Sequence, residues 1–172
     1  MRSKTDVCEY RSIVADIITN KDFLQTANVR HHDSTVYLHS LKVSLLSYHL
    51  AKKLGWNYHE TARAALLHDF FTERRRDIDK ASREKCSFKN MHGFSHPYTA
   101  LKNSQERFEI SAREADIIVK HMFPLTLRFP RYKESWLVTL VDKYLASKEV
   151  SVMLFRDILL HRYIKRLGFN VN

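Results

Sequence analysis

Glycine and proline occur only three times each in this chain of 172 residues. Sandwiches and barrels need many tight turns, and those turns draw on residues that reach positive φ or hold φ fixed. So thin a supply argues against an all-β architecture and favours a few helices joined by short loops. A globule of this length buries roughly 70% of the surface its unfolded chain exposes, enough for a proper core. The hydrophobic share of 44% and charged share of 28% are those of a globular chain, not a disordered one. No apolar run approaches the roughly 18 residues of a membrane span, and the opening MRSKTDVCEYRS lacks the apolar centre of a signal peptide. Only Cys8 and Cys86 are present, with no CxxC spacing, so a disulfide framework is not expected and a reducing cytoplasm suits the chain.

Charge is lopsided. Twenty-nine Lys and Arg against 19 Asp and Glu give +10, which favours anionic partners. The pattern contains no helix-turn-helix, zinc-finger or RNA-motif signature, so nucleic acid is disfavoured against a small phosphorylated molecule. No membrane partner is expected, and nothing in the sequence sets the oligomeric state.

Apolar spacing predicts helices over Asp6–Leu24, from a Ser34 cap to about Leu54, and from an Asn57/Glu60 capping box through the ALLHDFF stretch. In the second of these, Leu38, Leu41, Leu45 and Leu46 stand among the apolar positions. Thr72–His92 carries Arg74, Arg75, Arg76 and four further cations without a sustained apolar face, and reads as a basic loop with a short helix near Ile78–Glu84. Further helices are expected over His96–Phe108 behind a Ser95 cap, and from a Ser111/Glu114 capping box to about His121. Two more are expected over Tyr132–Lys148 and Val152–Leu167. No internal repeat or interdomain linker interrupts this, which predicts one all-α domain.

Some polar residues sit where helices should be apolar. His68 and Asp69 end the ALL run, and a carboxylate there is costly to bury unless a cation compensates it. The carboxyl end of a helix carries partial negative charge, so a divalent cation suits that position twice over. His39 lies among leucines, Asp142 interrupts WLVTLVDKYLA, and His96 and His121 stand at helix ends. Imidazole with carboxylate is a mixed nitrogen and oxygen donor set appropriate for Mn, Fe, Co, Ni or Zn, and less selective for Mg. Taken singly, each histidine has a structural explanation as a hydrogen-bonded core residue.

In order, His39, His68-Asp69, His96, His121 and Asp142 stand in the stretches YLHSLKVSLLSYHLAKKLGW, AALLHDFF, GFSHPYTAL, IIVKHMFPLT and LVTLVDKYLA. This series resembles the HD-domain superfamily of metal-dependent phosphohydrolases, in particular its small stand-alone bacterial members. The resemblance implies an all-α helical bundle of the HD-domain or phosphodiesterase-like type, one domain over residues 1–172 with its signature between about 37 and 149. It implies that His39, His68, Asp69 and Asp142 hold one divalent metal. His96 and His121 match the extra histidines of two-metal members, with Asp69 then bridging. The chain has Met122 where many such members have a second histidine, and Phe70, Phe71 and Thr72 where many continue Ile-Gly-Lys. One or two ions both stay open.

The implied reaction is hydrolysis of a phosphomonoester or phosphodiester, of nucleotide type, by a metal-activated hydroxide. Arg74, Arg75 and Arg76 are the expected substrate-binding cations, and Glu73 beside Asp69 the expected catalytic carboxylates, with Asp77 a further acid or base candidate. Two other readings stay open: a catalytically idle sensor that binds a nucleotide in the same pocket, and a basic nucleic-acid-binding helical protein.

Overall fold

The structure, a computed structural model, describes residues 4–31, 34–71 and 92–166. Within them the chain is all-α apart from one hairpin of two-residue strands, β1 (Arg30–His31) and β2 (Ser34–Thr35), paired antiparallel with Arg30 opposite Thr35. The helices are α1 (Lys4–Ile13), α2 (Ala15–Ile18), α3 (Lys21–Leu24), α4 (Val36–Lys53), α5 (Tyr58–Leu67), α6 (His92–Gln105), α7 (Ala112–Lys120) and α8 (Lys133–Arg166), with a 3-10 turn over Gln25–Asn28. No helix among the described residues is long and apolar enough to cross a membrane. The basic stretch 72–91, including the helix expected near Ile78–Glu84, lies outside the described residues.

The core is organised around α4 and α5. On α4 the buried residues are Val36, His39, Ser40, Val43, Ser44, Ser47, Tyr48 and Ala51, a stripe at helical spacing. On α5 Ala62, Ala64, Ala65, Leu66 and Leu67 are all fully buried. Serines therefore meet alanines along the seam, and short side chains let the two backbones approach closely. Ser44 Oγ donates to Ala62 O (2.6 Å) and accepts from Tyr10 Oη (2.9 Å), so this hydroxyl enters the core with its bonds made. The leucines expected to mark the α4 core lie at its margin instead. Leu38 is 47% exposed, while Leu41, Leu45 and Leu46 are half-buried and pack around the edge, because they flank the stripe that faces the core.

The predicted boundaries shift at several points for local reasons. The helix expected over Asp6–Leu24 is divided into α1, α2 and α3, the last opened by Asn20, whose side chain accepts from the Asp22 and Phe23 amides. Thr35, not Ser34, caps α4, and Gly55 follows it at φ 66, a conformation that glycine adopts without a Cβ clash. Asn57 caps α5 through Glu60 N, but the return bond to its own amide comes from Glu134 of α8 in place of Glu60. α6 begins at His92, before Ser95, so Pro97 lies inside the helix. The Ser111/Glu114 capping box forms with both of its bonds. α8 is one helix where two are expected: Ser147 and Ser151 return their hydroxyls to Tyr144 O and Ser147 O, and neither glycine nor proline stands between Lys133 and Arg166.

Phe70, directly after the buried His68 and Asp69, locks this turn into the core. Its ring meets Phe23 edge-on at 5.5 Å and Phe108 at 6.4 Å, Arg107 lies over it, and its carbonyl accepts from Asn103 Nδ2 (2.8 Å). Phe70→Ala is expected to destabilise the protein by about 3–5 kcal/mol, read from urea denaturation at unchanged m-value. A second tie fixes α1 to α4 and α5. Glu9 accepts from Lys52, from Tyr48 Oη (2.7 Å) and from Tyr58 Oη (3.0 Å), and these bonds, Lys52 foremost, lower its carboxyl to about 2. A carboxyl depressed on folding contributes stability above its unfolded value near 4.5, and that contribution is lost as pH falls toward 2. Acid titration of Glu9→Gln should show a flatter fall in melting temperature over this window than the parent protein does.

Candidate metal centre

Six side chains from five helical segments converge in the interior. His39 comes from α4, His68 and Asp69 from the end of α5, His96 from α6, His121 from the end of α7 and Asp142 from α8. All six are buried, the most exposed being Asp142 at 8%. The groups His39/His68/Asp69, His68/His121/Asp142 and Asp69/His96/His121 each bring three potential ligand atoms within 4.8 Å of one another. Every metal-ligand residue singled out in the sequence is thus brought to one place. Glu73, Arg74, Arg75, Arg76 and Asp77 lie outside the described residues.

Two of the imidazoles are aimed by the same local device. His68 caps the carboxyl end of α5 and donates Nδ1–H to Ala65 O, three residues back, at 2.8 Å. His121 caps α7 and donates Nδ1–H to Ile118 O at 2.8 Å. A carbonyl only accepts, so in each ring the proton is held on Nδ1 and Nε2 is turned inward as the donor to a cation. Two helix carboxyl ends, each with partial negative charge, therefore point at the same space.

Asp69 is shared between the two halves of the cluster. Its Oδ2 lies 3.5 Å from His68 Nε2, while its Oδ1 lies 3.4 Å from His96 Nε2 and 3.5 Å from His121 Nε2. Asp142 Oδ1 stands 3.0 Å from His39 Nε2 and 3.6 Å from His68 Nε2. The Nε2 atoms of His96 and His121 are 3.0 Å apart.

Electrostatics show what the cluster lacks. His68 Nε2 is buried and makes no hydrogen bond among the described residues, although two carboxylates face it. Burial disfavours a charged His68, yet Asp69 and Asp142 overcome that and raise it to about 9. Burial, with His68 beside it, pushes His121 down to about 3. Asp142 is held well below the usual carboxylate range: burial raises it, and the facing His39 and His68 rings outweigh the burial. Without a cation, then, a proton on one ring offsets buried negative charge. Four imidazole nitrogens and two carboxylates, with one buried nitrogen lacking a hydrogen bond, fit a divalent transition metal.

Two contributors escaped the sequence reading. His39 lies between two carboxylates, with Nε2 3.0 Å from Asp142 Oδ1 and Nδ1 3.3 Å from Glu149 Oε2; with a cation on Nε2, the ring's proton sits on Nδ1 and is donated to Glu149. Glu149 is itself held by Lys42 Nζ at 2.8 Å. It stands seven residues after Asp142, two turns along one face of α8, and this spacing was the signal that could have found it. Lys143 donates Nζ–H to His121 O (2.9 Å), and burial pushes its ammonium down against the pull of Asp142 and Asp69. No sequence signal beyond its place beside Asp142 marked it. Of the aromatic residues flanking the ligands, Phe71 packs edge-on against His96 at 5.9 Å, Phe123 packs on Phe129 and Trp136, and Tyr144 is 58% exposed.

Carboxylates that orient metal-bound histidines are worth roughly 10–100-fold in metal affinity. Glu149→Ala should therefore weaken Mn2+ binding by about that factor while leaving the metal stoichiometry unchanged, as measured by isothermal titration calorimetry.

Comparison with curated proteins and with solved structures gives no match to this chain. The family model of the HD domain matches residues 36–147, which begins at the first residue of α4 and ends five residues past Asp142. That span takes in all six converging side chains, in the order and helical contexts set out above, and the chain belongs to the HD-domain superfamily.

Proposed function

We propose that this protein is a metal-dependent phosphohydrolase that cleaves a small phosphomonoester or phosphodiester of nucleotide type. The observation that carries this reading is the division of Asp69, with one oxygen toward His68 and the other toward His96 and His121, in a buried cluster whose His68 Nε2 lacks a hydrogen bond. His39, His68, Asp69 and Asp142 would hold one cation, and Asp69, His96 and His121 a second. Mn, Fe, Co, Ni or Zn suits the mixed donors better than Mg. When bound, such a cation supplies an acidified water and polarises a phosphoryl oxygen.

The chain's own residues then do the positioning. Ala65 O and Ile118 O fix which nitrogens of His68 and His121 face the centre, and Glu149 does so for His39. Lys143 braces the carbonyl of His121 and adds a half-buried positive group beside Asp142. Hydrolysis adds water across a P–O ester bond, so one proton leaves the water and one reaches the departing oxygen. Glu73, four residues after Asp69, is assigned the proton transfer. Arg74, Arg75 and Arg76 are assigned to the charge that spreads over the phosphoryl oxygens, in keeping with the +10 balance of the chain.

Elemental analysis joined to a Mn2+-supplemented phosphatase and phosphodiesterase screen tests the proposal. His68→Ala and Asp69→Ala should lose both metal and turnover, and His121→Ala should fall from two metal equivalents to one. Full metal content in both of the first two variants would overturn the metal assignment. Saturable nucleotide binding without product would instead identify a sensor.

A further inference from the structure

One cleft plays no part in the chemistry above. It has a volume of about 280 Å3, lies between α4 and α8 on the side of Glu149, and is lined by Ser34, Lys42, Leu145, Lys148, Glu149 and Val152. Four of these recur on α8 at i, i+3, i+4 and i+7, so they share one helical face. Lys42 faces them from α4, and Ser34 from β2. The lining combines two apolar side chains with two ammonium groups. Lys42 is bonded to Glu149, whereas Lys148 forms no ion pair among the described residues. Ser34 Oγ is buried and has no hydrogen-bond partner among those residues. A wall that sets an uncompensated cation beside two apolar side chains is matched by an anionic ligand with a short apolar body.

We propose that this cleft is a second binding site, for a small molecule carrying a phosphate or carboxylate on a short apolar body. Lys148 and Lys42 meet the anion, and Leu145 and Val152 take the apolar part. The volume sits near the lower end of small-molecule pockets, roughly 300–1,000 Å3, which suits a body of a few carbons and excludes a dinucleotide. Glu149 is at once the wall of this cleft and the partner of His39 Nδ1. An anion that draws Lys42 away removes one competing cation from the Glu149 carboxylate, and a stronger acceptor makes the opposite nitrogen of His39 a better metal donor. Occupancy of the cleft therefore tightens metal binding, and metal tightens the ligand by the same factor. This coupling, unlike the site itself, rests on the metal centre proposed above.

Butyl phosphate is the probe, titrated calorimetrically into the full chain and its variants. Saturable binding is expected in the parent and, with the metal centre broken, in His68→Ala. In the His68→Ala background, Lys148→Glu reverses a charge and Val152→Trp fills the cleft, and each should weaken binding roughly tenfold, the loss of one charge-assisted contact or of the space itself. Lys148 is exposed, so its variant stays informative if the tryptophan disturbs α8. Saturating probe should also raise Mn2+ affinity severalfold in the parent but not in Lys148→Glu. No saturable binding in His68→Ala, or binding there that ignores both cleft substitutions, overturns the site. Binding through Lys148 in a parent protein that takes up none of Mn2+, Fe2+, Co2+, Ni2+ and Zn2+ would leave the cleft standing and remove the phosphohydrolase reading instead.

Discussion

Two carboxylates and four imidazoles share one buried volume, and the surrounding helices are arranged to make that tolerable. Ionised carboxylates are expensive to remove from water unless positive charge stands beside them. Asp69 and Asp142 favour a proton on His68, which would offset part of that charge, and the ammonium of Lys143 approaches from α8. A divalent cation supplies more charge at the same point and uses the nitrogen that makes no hydrogen bond. The stability of the interior and the capacity to bind metal are in this sense one electrostatic problem.

Helix ends solve much of it. α5 and α7 stop where their last turns can hand an imidazole to the centre, and both stops use the carbonyl three residues back to set the ring. The capping box at Ser111 sets where α7 begins, and Asn57 with Glu134 sets where α5 begins. Because α5 is short and buried on most sides, the position of its first residue passes directly to its last. The serine and alanine seam against α4 then brings His39 in from the neighbouring helix, and close approach there substitutes for bulk.

The converging residues were legible in the sequence where they break an apolar pattern: a carboxylate within WLVTLVDKYLA or a histidine at the end of ALL asks for a partner wherever the chain folds. Helical spacing also located the main elements, and the HD motif series carried the family. What was hidden had physical causes. Glu149 fell in a gap expected between two helices, whereas α8 runs through without a residue able to stop it. The leucines of α4 stood among its apolar positions, but they flank the core-facing stripe, whose buried places go to Ser40, Val43, Ser44, Ser47 and Tyr48. The start of α6 at His92 had no capping signal to advertise it. The basic stretch 72–91 carries no periodicity, and its cations enter only by their nearness in sequence to Asp69.

The donors differ in what holds them. His68 and His121 are pinned within their own turns, so their aim survives as long as a few residues stay helical. His39 depends on Glu149, 110 residues distant, and on the integrity of α8 beyond Asp142. Fraying of that helix from its far end would release one ligand's support while two others kept their bearing. Warming or dilute denaturant should thus erode the centre from one side, loosening His39 before the bundle itself comes apart.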